Sequence, residues 1–129
     1  MHKGFLKTAA ILGILSVGLG AFAAHGLKQV YTEKALLTFE TGVRYQFYHV
    51  FALLIAAMLY RDFKSGSMLW ACRLFVAGII LFSGSLYLLS YIQSTENNTF
   101  YFIGAVTPFG GLAFISGWLM MFMSIFRKS

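Results

Sequence analysis

Trp70–Ile92 reads WACRLFVAGIILFSGSLYLLSYI, 23 residues with one charged side chain, Arg73. At 1.5 Å per helical residue it extends about 35 Å, enough to cross a hydrocarbon core of about 30 Å. Three further stretches are comparably apolar: Phe5–Ala24, Val43–Tyr60 and Phe100–Phe126. None alternates in the two-residue period of a lipid-facing barrel strand. In hydrocarbon every backbone amide must be satisfied within its own segment, so each stretch is expected to be a helix.

Composition supports the same conclusion. Hydrophobic residues make up 59% of the 129 and charged residues 11%, against roughly 45–50% and about 25% in soluble proteins. Fourteen charged side chains cannot cover a globule of this size, whose surface-to-volume ratio is high. Four spans of about 20 residues leave little outside a bilayer. A soluble catalytic domain is excluded, and so is a disulfide scaffold, because Cys72 is the sole cysteine. The expected architecture is all-α: a bundle of four transmembrane helices in one integral membrane unit, residues 1–129. Met1–Lys3, an apolar run and Ala21-Phe22-Ala23 also fit a secretory signal with its cleavage site, but the segment is read as a retained span.

Basic residues set the expected orientation. Lys3, Lys7, Arg61, Lys64, Arg73, Arg127 and Lys128 fall on one side, and Lys28, Lys34 and Arg44 on the other. An excess of Lys and Arg marks the cytoplasmic face, so both termini are expected in the cytoplasm. The formal net charge of +6 is then a topology signal. No basic stripe with interleaved aromatics suggests nucleic acid as a partner. Asn97-Asn98-Thr99 fits the glycosylation pattern, a match too short to carry weight.

Several features have packing explanations. Ala9, Gly13, Ser16, Gly20 and Ala23 recur every three or four residues and form a small-residue seam, which lets helix backbones approach closely in lipid. Gly18, Gly20 and Ala23 fit G-x-G-x-x-A, but inside an apolar helix the dinucleotide fingerprint has no meaning. Pro108 either kinks a helix already running or occupies the first turn of a shorter one; with Gly110 and Gly111, it predicts irregular backbone over residues 107–111. His25-Gly26 suits a helix C-cap with Gly26 in the left-handed conformation. Met120, Met121 and Met123 are packing or lipid-facing residues.

Residues 33–60 contain no proline and one glycine. They predict one helix of about 42 Å, whose N-terminal part extends the second span as an amphipathic segment. At about 100° per residue, Glu40, Arg44, Tyr48, Thr41, Tyr45 and His49 share one arc, and Phe47, Val43, Val50 and Leu54 oppose it. The polar arc is expected to face the bundle, since an ionised side chain at mid-bilayer costs about 2.5–3.5 kcal/mol on insertion scales. Glu40 and Arg44, one turn apart, are expected to pair. With His25 ending the first helix and Thr107 beginning the re-entry of the fourth, the polar residues gather in the outer half of the membrane. The candidate ligand-binding set is His25, Glu40, Arg44, Tyr45, Tyr48, His49 and Thr107. No catalytic group, metal or cofactor is assigned; His25, His49 and Glu40 are metal-ligand types without a fixing spacing.

Four ordered motifs bring a resemblance. Gly20-Ala21-Phe22-Ala23-Ala24-His25-Gly26-Leu27, Tyr45-Gln46-Phe47-Tyr48-His49, Leu81-Phe82-Ser83-Gly84-Ser85-Leu86-Tyr87, and Gly104-Ala105-Val106-Thr107-Pro108-Phe109-Gly110-Gly111 with Gly117-Trp118 resemble the YgdD/YwdK-like family of small bacterial membrane proteins, domain of unknown function 423. Ala23 stands where that family often has glycine, and Val50-Phe51 replace a more usual Ala-Leu. The resemblance spans nearly the whole chain and implies a four-span protein of the bacterial cytoplasmic membrane, with no established activity.

Three functional expectations follow. The first is non-enzymatic binding of a small amphipathic or anionic ligand, a lipid headgroup or a quinone, in an outer-leaflet pocket. The second is an accessory or assembly subunit with a purely structural polar cluster, its partners being membrane lipids and another protein or a second copy. The third is a proton-coupled transporter of small solutes, disfavoured because no internal repeat is evident.

Overall fold

The structure, a computed structural model, describes residues 1–95 and 101–128. Asn97-Asn98-Thr99 and the expected start of the fourth span at Phe100 lie outside them. Four long helices account for almost all of the rest: α1 Lys3–Val30, α2 Glu33–Leu59, α3 Gly66–Ser94 and α4 Thr107–Lys128. Each is long and apolar enough to cross a membrane.

The starts of the first three helices are capped locally. His2 Nδ1 accepts from the Phe5 amide, Thr32 Oγ1 from the Ala35 amide and Ser65 Oγ from the Met68 amide. Each satisfies one of the four N–H groups that a helix start leaves open. Only Tyr31 and Thr32, both in extended conformation, separate α1 from α2. Residues 60–65 join α2 to α3. Connections this short make sequential helices antiparallel neighbours. The amide of His2 also donates to the Ala57 carbonyl at 2.9 Å, tying the start of α1 to the end of α2.

Two helices carry π turns. In α1 the π turn spans Ala23–Leu27, and in α3 it spans Ile79–Ser83. The expected C-cap at His25-Gly26 is therefore not what forms: α1 runs on to Val30, and the His25 ring bonds back to the Ala21 carbonyl at 2.9 Å. A π turn inserts one residue and rotates everything beyond it by about 100°. Before the insertion in α3, Phe75 and Gly78 face α4; from its last residue onward, Ser83 and Tyr87 face α2. Pro108 occupies the first turn of α4, where its missing amide costs nothing. The irregular backbone lies earlier, in a 3-10 turn over Tyr101–Ala105, and residues 107–111 are regular helix.

Small residues set the helix contacts. Ala9, Ser16 and Ala23 of α1 are buried, as the seam requires. A Cβ on Gly20 would lie 3.5 Å from Val43 Cγ1, and one on Gly13 3.7 Å from Val50 Cγ1. The tightest approaches are between α3 and α4. Gly78 receives the ring of Phe114, Gly117 receives that of Phe75, and Gly110 lies against the backbone of Phe82.

The inward face of α2 is not the expected one. Gly42, Val43, Gln46, His49, Val50, Leu53, Ala56 and Ala57 are buried, whereas Arg44, Tyr45 and Tyr48 are exposed. On the same wheel the buried residues centre about 140° from the midpoint of the polar arc, so the arc points outward and only His49, at its edge, is buried. The reason is packing. α2 is lined by α1 on one side and α3 on the other, and close approach selects its glycine and alanines, while long Arg and Tyr side chains can keep their polar ends near water from an outward position.

Candidate functional site

The buried polar groups of α2 form a ladder that reaches every other helix. Gln46, 3% exposed, donates through Nε2 to the Leu12 carbonyl of α1 at 3.1 Å. That carbonyl also accepts from Ser16 Oγ at 2.8 Å. The Gln46 Oε1 accepts from the Tyr87 hydroxyl of α3 at 2.5 Å. One turn earlier, Ser83 Oγ donates to the Gly42 carbonyl at 2.7 Å. One turn later, His49 connects to α4.

His49 has both ring nitrogens engaged. Its Nδ1 lies 2.8 Å from the Tyr45 carbonyl, and its Nε2 accepts from the Trp118 indole N–H at 3.1 Å. A carbonyl can only accept and an indole N–H can only donate. The pattern therefore specifies a neutral ring with its proton on Nδ1. The ring stacks on Phe114 with centroids 3.5 Å apart and planes 7° from parallel. Phe75 and Trp118 stand at 5.8 and 6.1 Å.

The seven candidate residues do not converge. His49 is inside the bundle and paired as described. Thr107 bonds to Ser85 Oγ at 2.6 Å, and Ser85 donates to the Phe82 carbonyl, so Thr107 is the donor of that pair. His25 is exposed and bonded to its own helix. Arg44, Tyr45 and Tyr48 project outward, with Tyr45 packed edge-on to Tyr48. Glu40 and Arg44 form no ion pair among the described residues, contrary to expectation: the rotation of α2 turns Arg44 outward while Glu40 stays half-buried, so the two side chains do not meet. Neither of the two clefts at the ends of α2 is lined by any of the seven.

The interior is chemically closed. Among the described residues, no buried side-chain nitrogen or oxygen lacks a partner, and no three His, Cys, Asp or Glu side chains come together as metal ligands. Cys72 is fully buried beside Ala71 and Phe75. Gln46 is the residue that the sequence does not mark. An uncharged amide draws little notice in a polar run, yet its i,i+3 spacing from His49 places both on one face.

A protein family described as "Protein of unknown function (DUF423)" matches residues 19–111, which contain the whole ladder apart from Leu12, Ser16 and Trp118. The chain belongs to DUF423. It is similar to the UPF0382 membrane protein YwdK of Bacillus subtilis (strain 168), 45% identical over 92% of this chain and 93% of the relative. It is also similar to the UPF0382 membrane protein SH2409 of Staphylococcus haemolyticus, 40% identical over 97% of both. A UPF0382 membrane protein of Haemophilus influenzae is 38% identical over 99% of this chain and 98% of its own. No solved structure matches. This DUF423 chain is thus a small four-helix membrane protein whose polar residues split into a closed internal ladder and an outward stripe on α2.

Proposed function

We propose that this protein is a non-catalytic accessory subunit that docks a second membrane polypeptide along the outward face of α2. The carrying observation is Arg44, exposed and without an ion pair among the described residues, eleven positions past the helix start in a span of 27 residues. A lipid-facing arginine at that depth is costly unless a partner or the headgroup region receives it. Leu37, Thr41, Arg44, Tyr48, Phe51, Ile55 and Met58 alternate at spacings of four and three along that face. A 3.5-residue period keeps a seam against a partner helix along its whole length. At its start lies an open cleft of ≈ 430 Å³ lined by Glu33, Lys34, Leu37, Thr38 and Thr41. With Glu40 and Arg44 in no ion pair among the described residues, the stripe and the Glu40 carboxylate beside it offer one base and one acid to a partner helix.

The outer-leaflet pocket is not carried forward, because Arg44, Tyr45 and Tyr48 face away from His49 and Thr107. A proton relay has no support either, since both His49 nitrogens are engaged and Glu40 is not in contact with the ring. The setting we assign is the bacterial cytoplasmic membrane with both termini inside, as the basic residues favour.

Native mass spectrometry of the protein extracted in mild detergent tests the proposal. A protein bound in fixed stoichiometry is expected, lost in Arg44→Gln with the thermal stability of the free chain retained; a second copy in that role makes the partner the chain itself. A bare monomer, or a complex indifferent to Arg44→Gln, would overturn it.

A further inference from the structure

Where α2 hands over to α3 and α4 ends, a cleft of ≈ 380 Å³ opens, lined by Arg61, Asp62, Lys64, Ser65, Ser124 and Arg127 among others. We propose that it binds the phosphate of an anionic phosphodiester, the group an acidic phospholipid headgroup carries.

Three cations from two separate segments converge there against one carboxylate. Arg61 and Lys64 come from the connection after α2, and Arg127 comes from the last turn of α4. Orientation in the membrane requires only that basic residues accumulate on one side; it does not require them to share a cleft. All three are exposed, and none is held in an ion pair among the described residues. Their charge is available to a ligand.

The floor is fixed. Ser65 Oγ and Ser124 Oγ lie 2.7 Å apart, Ser65 accepts the Met68 amide, and Ser124 bonds the Phe63 carbonyl at 3.3 Å. This pins the end of α4 to the start of α3 and holds Arg127 opposite Arg61 and Lys64 in the cleft lining. A place at the basic ends of α2, α3 and α4 suits a headgroup layer. About two turns along α3 from Ser65, the Arg73 guanidinium stacks over the Trp70 ring at 5.2 Å; Trp is enriched where hydrocarbon meets headgroups, and Arg snorkels to that level. Guanidinium groups suit a phosphate geometrically, because their donors match two of its oxygens at once.

The full chain in mild detergent is offered phosphatidylglycerol and phosphatidylcholine in equal amounts with matched acyl chains, and bound lipids are counted by native mass spectrometry. A parallel arm offers inorganic phosphate alone. Each Lys or Arg near an anionic surface multiplies binding roughly five-fold, so three predict a preference for phosphatidylglycerol on the order of a hundred-fold. The triple variant Arg61→Gln, Lys64→Gln, Arg127→Gln should abolish that preference, while Lys28→Gln with Lys34→Gln at the other end leaves it. Should the triple variant not fold, Arg61→Lys with Arg127→Lys should keep only part of the preference, since Lys retains the charge without the fork, and Lys64→Gln alone should lower it. Phosphate binding without lipid preference, lost in the same variants, would assign the cleft to free phosphate. Equal retention of both lipids with no phosphate bound, or a preference untouched by these variants, would overturn the site.

Discussion

The indole N–H of Trp118 donates to Nε2 of His49 across 3.1 Å, joining α4 to α2 through a ring whose other nitrogen is already bonded to its own helix. A histidine so held is a fastener between helices. Double-mutant analysis with His49→Phe and Trp118→Phe, read by unfolding in mixed detergent, should give a coupling of about 0.5–2 kcal/mol, the range of interhelical hydrogen bonds in membranes. Zero coupling would mean that the stacking on Phe114 alone holds the ring.

Gln46 should be costlier to lose than its partner. Gln46→Leu strands the Tyr87 hydroxyl and takes one donor from the Leu12 carbonyl, for about 1–3 kcal/mol of lost stability. Tyr87→Phe leaves only the Gln46 Oε1 unmet and should cost about 0.5–1.5 kcal/mol. The measurement is equilibrium unfolding of both variants beside the parent, and the reverse order would contradict the bridging role.

Glycine positions should differ sharply. Gly78→Ala drives a methyl into the Phe114 ring and should destabilise by about 1–3 kcal/mol. Gly20→Ala meets Val43 only at ordinary contact distance and should be near neutral or slightly stabilising, because alanine suits a helix better than glycine. Gly20→Leu has no such room and should lower the melting temperature in detergent clearly. Comparable tolerance of Gly78→Ala and Gly20→Ala would place the tightest seam elsewhere.

Orientation is testable by labelling. An impermeant thiol reagent applied outside intact cells should modify Ser94→Cys and spare Lys64→Cys; breaking the membrane should expose the latter. Native Cys72, fully buried, should remain silent in both conditions. Labelling in the opposite order would invert the topology.

The long helix of α2 was legible in the sequence because nothing between Glu33 and Leu59 interrupts a helical pattern. The seam on α1 was legible for the same reason: small residues at helical spacing have few other uses in lipid. The inward face of α2 was not. Polarity alone places Arg44 and Tyr48 inside, but two neighbouring helices demand short side chains, and Gly42, Ala52, Ala56 and Ala57 decide the rotation. The π turn at Ile79–Ser83 leaves no compositional mark, since one inserted residue changes which side chains meet and not which are present. Pro108 fits two backbones equally well until the 3-10 turn before it is seen. Of the candidate set, His49 and Thr107 take part in interhelical hydrogen bonds, but their partners Trp118 and Ser85 lie far away in sequence and could be named only once the helices were in place.

The ladder of α2 also has an order in time. A ribosome releases α1 first, so the Leu12 carbonyl is waiting when Gln46 enters the bilayer. Tyr87 comes next and fills the other side of the same amide. Trp118 is made last, about seventy residues after His49, and until it arrives the ring's Nε2 has no donor from α4. A nascent chain halted after α3 thus carries one open polar atom at its centre, a chemical mark of incompleteness that translation of α4 removes.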